Sequence, residues 1–357
     1  MANRLPADLL RRSPQEASRL LLMSYLDEIG RAQERLVNPA DLEALHDFRV
    51  GLRRLRSCLR AYRPFVKGSV SGKVRSRLRS LTRETNAGRD TEVQLMWLRD
   101  QAASLAPHEA QGQGWLVGRL EGRRSMLVQA TANVGRRFRK LESRLRPRLL
   151  TFELEVSSGT ATVQPPFGEV AAELIRQYAQ ELCDSLDSVR HVADQSEAHA
   201  TRIRAKRLRY LMEPLSPRLP RLKGYLKRLK ALQNALGTLH DMQVMIQEMP
   251  NEDGAEGIRP GLAALRQRAQ NSAESSLVEF QTTWTSLRAA SFQKRIGAVA
   301  DSLLRLSRGP AGHDPIETTD APAPLVKSWA EAPSTTLTLE TTPLPLRFPL
   351  QPRQRLR

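Results

Sequence analysis

Twice in this sequence a histidine stands at the head of a row of cations. His46 is followed by Arg49, Arg53 and Arg56 in "HDFRVGLRRLR", and His199 by Arg202, Lys206 and Arg209 in "HATRIRAKRLRY". Steps of three and four residues put each row on one helical face, where like charges one turn apart repel by about 0.2–0.5 kcal/mol per pair. An anion offsets that repulsion. Guanidinium forks grip phosphate or carboxylate oxygens in pairs. A neutral imidazole donates one hydrogen bond to a phosphate oxygen, and a dense polyanion favours its protonated form. The chemistry implied is binding.

Other chemistries fit less well. None of the six histidines shows the paired spacing or the Cys/His/carboxylate cluster of a closed metal site. Asp90 and Asp241 each follow a basic residue at an expected helix start, which suits capping, or orienting an arginine, better than acid/base catalysis.

The rows belong to a longer repeat. His46, Arg49, Val50, Arg53, Arg54, Leu55 and Arg56 recur as His199, Arg202, Ile203, Lys206, Arg207, Leu208 and Arg209, each 153 residues later. A second box, "GRDTEVQLM" at 88–96, recurs as "LHDMQVMIQ" at 239–247, pairing Arg89 with His240 and Asp90 with Asp241 at an offset of 151. Arg79 and Lys230 occupy matching places in the helix between the boxes. On a helical wheel Leu45, Phe48, Leu52, Leu55 and Leu59 form an apolar stripe, and the basic row, continued by Arg60, lies beside it rather than opposite. Such a row lines a crevice between packed helices, its stems buried and its heads turned inward. Arg54 and Arg207 fall on the far side of the row.

The elements that position these rows read as helices almost throughout. Ser13, Pro14 and Glu16 open the first, with Glu16 expected to reach back to the cap. Asn38 and Pro39 open a second that runs to about Tyr62; further helical runs span about 69–85, 90–103 and 112–148. Residues 151–166, "TFELEVSSGTATVQPP", lose the period and read as a connector between half one, about 15–150, and half two, about 167–308. Half two carries helices at 167–186, 196–212 and 218–236, a short one at 239–248, and long runs to about 307. Residues 309–357 shift to Pro, Thr and Ala and read as a disordered tail.

Charge and cysteine usage bound the function. The 357 residues hold 56 Lys+Arg against 38 Asp+Glu, a net +18. The tail has five acids and five bases, so the excess lies in residues 1–308. That favours polyanions: nucleic acid, an anionic membrane surface or an inorganic polyanion. Cys58 and Cys183 have no metal or redox spacing, which suits a reducing cytoplasm. The N-terminal apolar run is too short and too broken by charge for a signal peptide or spanning helix, so no membrane insertion is expected.

The paired boxes, "HDFRVGLRRLRSCLRAYRPF" and "HATRIRAKRLRYLMEPL", each followed by a Leu-rich helix and then "GRDTEV" or "LHDMQV", resemble the CHAD family, the conserved-histidine α-helical domain, over roughly residues 15–305. The resemblance implies an all-α fold of two similar helical bundles related by a pseudo-twofold, with basic rows lining a central channel. It implies inorganic polyphosphate as ligand, no catalysis and no cofactor, and an association with polyphosphate granules. Carried over by motif, the ligand residues are His46, Arg49, Arg53, Arg56, His199, Arg202, Lys206 and Arg209, with Arg89 and His240 added. Gly51 and Ser57 stand opposite Arg204 and Tyr210, so the halves need not bind equally.

Family members often carry a triphosphate-tunnel (CYTH) domain with an ExExK start. "FELEVS" has Ser157 in the lysine's place and no alternating strands follow, so the chain reads as a stand-alone module. An accessory enzyme of phosphate metabolism would need carboxylates grouped to hold Mg²⁺ near the rows, and none is. A nucleic-acid-binding protein would need stacking aromatics or base-edge readers, yet the rows have only Tyr62 and Tyr210 nearby.

Overall fold

The computed structural model of the chain describes residues 5–38, 41–151, 164–250, 256–285 and 287–308. Among these the regular elements are all helical: α1 (Pro14–Arg35), α2 (Leu42–Ala61), α3 (Gly72–Glu84), α4 (Asn86–Ala102), α5 (Ala110–Leu150), α6 (Phe167–Leu186), α7 (Gln195–Met212), α8 (Leu222–Glu248), α9 (Arg259–Trp284) and α10 (Leu287–Arg308). Short 3-10 turns follow α2 and α7 at Arg63–Val66 and Glu213–Leu215, and precede α9 at Glu256–Ile258. The tail from residue 309 and most of the connector lie outside the described residues. No described helix is long and apolar enough to cross a membrane.

Local chemistry sets the helix starts, with two departures from the sequence reading. Ser13 Oγ accepts from Glu16 N at 3.2 Å, but the Glu16 carboxylate pairs with Arg12 instead of reaching back. α2 begins at Leu42, not after Asn38, because Asp41 Oδ1 accepts from Ala44 N at 3.0 Å and caps it there; Pro39 itself is outside the described residues. The N-terminus of α6 is capped by backbone from the start of the chain: Phe167 N donates to Arg12 O at 2.9 Å and Gly168 N to Leu10 O at 2.8 Å.

The largest departure is α8. The expected break between 236 and 239 does not occur; one helix runs from Leu222 to Glu248, through Gly237. A glycine inside a helix costs about 1 kcal/mol relative to alanine, and here the missing Cβ makes room for an arginine. "LHDMQV" is therefore mid-helix, and Asp241 caps nothing.

One core joins both halves. Leu22 and Leu26 of α1 and Phe48, Leu52 and Leu55 of α2 meet Ile175 and Leu182 of α6, Leu208 of α7 and Leu232 of α8 in a single buried cluster. Phe48 meets Phe138 edge-on at 5.5 Å, and Tyr62 meets Phe167 at 5.0 Å. At roughly 25 cal/mol per Å² of apolar area buried, such residues dominate stability. A smaller cluster, including Leu98, Leu116 and Met245, closes the far ends of α4, α5, α8 and α9. There α5 and α9 touch backbone to backbone: a Cβ on Gly261 would fall 2.0 Å from Glu109 O.

The packing order of the halves is parallel. α1 packs on α2 as α6 packs on α7; α2 is followed by α3 and α4, which pack on α5, as α7 is followed by α8, which packs on α9. α2 and α7, the helices bearing the basic rows, pack against each other in the middle.

A basic site between α2 and α7

The apolar stripe of α2 turns Phe48, Leu52, Leu55 and Leu59 into the core, each no more than 2% exposed. The basic row comes with it to the edge of the core. Arg49 is drawn in furthest, to 5% exposure, and its Nη2 donates to Asn86 Oδ1 at the start of α4 at 3.4 Å. Arg53 and Arg56 are half-buried, and Arg53 Nε is buried without a hydrogen-bond partner.

On α7 the matching arginine, Arg202, lies along α8. Its Nε donates to Gln233 O at 3.4 Å, and a Cβ on Gly237 would fall 3.2 Å from its Nη2. Asn86 and Gly237 stand 151 residues apart, the offset of the second box. Each half therefore seats its buried arginine at the same place, one on a side-chain oxygen and one over a bare backbone.

The rows meet across the helix pair. Burial lowers the pKa of Arg202, helped by the charge of Arg53 and opposed by Asp241 and Asp90. Lys206 is lowered to about 7, by burial first and then by Arg202, Arg53 and Arg209. Burial raises the Asp241 carboxyl, against the pull of Arg202, His240 and Lys206. His199 presents an exposed edge while its ring centroid lies 5.7 Å from that of His240. Lost hydration, then His240, Arg202 and Lys206, hold its pKa down. Arg56, further along the same face of α2, lies near α3: burial and then Arg60, Arg79 and Arg83 lower its pKa, so it joins the cations of α3.

Of the twelve residues expected from sequence, Arg53, His199, Arg202, Lys206, Arg209 and His240 come together, with Asp241 in their midst. Arg49 lies on the inner side of the same row, and Arg56 with Arg79 forms an extension over α3. His46 is half-buried at the head of α2; Lys230 is exposed on α8. The Arg89 side chain is outside what the structure describes. Arg209 is also tied elsewhere: its Nη1 lies 3.1 Å from Glu213 Oε1, and its guanidinium covers the Tyr210 ring at 4.7 Å. Glu213 also takes Arg54 Nε at 2.9 Å, so Arg54 braces the junction rather than serving the site. Sequence reasoning missed Asn86, Gln233, Gly237 and Glu213; the shared offset of Asn86 and Gly237 was the available signal. Among the described residues, no three His, Cys, Asp or Glu side chains converge as metal ligands.

Comparison with known proteins agrees with this all-helical fold. The CHAD domain family matches residues 21–250. The chain belongs to the CHAD domain family. Its fold is similar to the crystal structure of the CHAD domain from the plant Ricinus communis, with 22% identity over 81% of this chain and 93% of that one, at a TM-score of 0.54. It is also similar to PptA from Streptomyces chartreusis, with 15% identity over 77% of this chain and 99% of that one, at a TM-score of 0.56. No curated protein matches. Both row-bearing helices, α2 and α7, fall within the matched CHAD span, as do the three residues that seat Arg49 and Arg202.

Proposed function

We propose that this CHAD domain binds inorganic polyphosphate along the two basic rows, as a non-catalytic module acting in the cytoplasm, with granule association as its cellular form. The observation that carries this reading is the meeting of Arg53 with Arg202 and Lys206 across α2 and α7, where burial and then the neighbouring cations lower the pKa of Arg202 and Lys206. A repeating chain of phosphates supplies the missing negative charge along both rows. The two halves are read as a duplication about a pseudo-twofold, with the rows lining the channel between them.

The aromatic residues favour polyphosphate over nucleic acid. Tyr62 is 2% exposed and Tyr210 is 6% exposed beneath Arg209, so neither offers a face for a base to stack on. The test is a competition at physiological salt between long polyphosphate and single-stranded DNA or RNA of equal charge. Polyphosphate is expected to win. Its affinity should fall with salt at a log–log slope of roughly 6–7, from eight contacts at about 0.7–0.9 each by analogy with nucleic acids. Equal or tighter binding of nucleic acid rules the reading out.

A further inference from the structure

The α2–α7 junction has two ends, and the 153-residue offset relates them. At the first, Arg54 Nε lies 2.9 Å from Glu213 Oε2 and Arg54 Nη1 lies 3.2 Å from Glu28 Oε2, with Tyr25 in the field of all three. Stepping 153 residues onward turns Arg54 into Arg207, Glu28 into Glu181 and Tyr25 into Tyr178; stepping back turns Glu213 into Arg60. The second end does assemble this set. Arg207 stands in the field of Arg60, Tyr178 and Glu181, and Tyr178 in that of Glu181, Arg207 and Arg60.

The neighbours correspond, but one charge is inverted. Where the first end has the bridging carboxylate of Glu213, the second has a guanidinium facing another guanidinium. A further cation, Arg204, replaces Gly51, which packs so tightly on Ile29 that a Cβ there would fall 2.5 Å from Ile29 Cγ1. A crevice of about 350 Å³ opens here between α6 and α7, lined by Glu181, Asp184, Arg204 and Arg207 among others. Arg207 Nε in its wall is buried and has no hydrogen-bond partner.

We propose that this crevice is a second anion site, in which its lining residues Arg204 and Arg207, with Arg60 adding its charge beside Arg207, take a terminal phosphate or a short condensed phosphate in the place that Glu213 fills at the opposite end. Guanidinium forks match phosphate oxygens in pairs. Glu181 and Asp184 wall the α6 side and repel any chain running on across it, so the anion is compact or ends there. Arg204 and Arg207 project from a different face of α7 than Arg202, Lys206 and Arg209, which makes the crevice separable from the rows.

The experiment is a calorimetric titration of the full chain with pyrophosphate at low salt. The wild type should take up pyrophosphate at two sites. An Arg204→Ala/Arg207→Gln variant should lose one, with affinity there down about tenfold or more, and an Arg53→Ala/Lys206→Ala variant should lose the other and keep the first. A crevice that survives the loss of row binding stands even if the rows prove not to bind polyphosphate. Unchanged stoichiometry in the crevice variant, or loss of all pyrophosphate binding in the row variant, overturns the second site. A separate check is Arg60→Glu, which restores the carboxylate of the opposite end. It should raise the melting temperature in phosphate-free buffer and abolish crevice binding; a lower melting temperature refutes the correspondence. Long polyphosphate then separates the sources: weaker long-chain binding in the crevice variant assigns the crevice to chain ends, and unchanged binding assigns it to free short phosphates. Either result sustains the site.

Discussion

The rows on α2 and α7 share a pattern and differ in how their charge is held. The α2 row below His46 is built from arginines, the side chain whose charge does not titrate near neutrality, and Arg56 looks out to Arg79 and Arg83. The α7 row is adjustable. It has Lys206 where α2 has Arg53, its histidine lies against a second histidine, Asp241 stands within it, and Arg209 is shared with Glu213. Exchanging one arginine for a lysine in a desolvated, like-charged setting converts a permanent charge into one that titrates near neutrality. A ligand that meets both rows meets a constant charge at Arg53 and a proton-dependent one at Lys206.

The largest effect that separates the rows should come from their matched pair. Arg53→Ala should weaken polyphosphate binding about ten- to a hundredfold at every pH from about 6 to 8.5, the worth of one charged hydrogen bond at about 1.5–3 kcal/mol. Lys206→Ala should cost as much at about pH 6 but only a few-fold at about pH 8.5, where the free protein has already lost that proton. If the two variants track each other across pH, the rows do not differ in the way described.

A smaller effect concerns the empty protein. Below pH 7 Lys206 is charged in both folded and unfolded chains; as pH rises through about 7 the folded chain releases the proton, while the unfolded chain holds it to about 10.4. The unfolded state then binds more protons, so stability rises with pH across that window. His199, also lowered, acts in the same direction. Thermal melts from about pH 6 to 8.5 should show this rise in wild type and a shallower one in Lys206→Met. An equal slope in both would remove Lys206 as its source.

The smallest difference lies in how the buried arginines are seated. Asn86→Ala should weaken binding by less than about tenfold, since it removes one long hydrogen bond to Arg49. Gly237→Ala should do about as much by displacing Arg202, since the added Cβ would fall 3.2 Å from its Nη2. Titration of each variant with long polyphosphate checks this, and a loss of a hundredfold or more in either would mean that seating outweighs charge.

Much of this arrangement was legible because helix period and repeat are local in sequence. The stripe of Phe48, Leu52 and Leu55 beside Arg49 and Arg53 fixes which face turns inward, and Ser13 and Pro14 mark the first helix start. The start of α2 was not, because Asp41, three residues after Asn38, offers a competing cap. Gly237 read as a break, since a sequence does not reveal that its missing side chain accommodates Arg202 from another helix. Glu213 was invisible for the same reason: beside Arg209, one turn before it, its partner is Arg54, which comes from the other half, 159 residues away.

The central claim is that binding follows the rows and not the net charge. The most direct measurement compares two double variants of equal formal charge, Arg49→Ala/Arg202→Ala in the rows and Arg353→Ala/Arg357→Ala in the C-terminal segment, by their affinity for long polyphosphate at physiological salt. The row pair should weaken binding by roughly two to four powers of ten while remaining folded, and the C-terminal pair should change it little. Equal losses in the two variants would contradict the account.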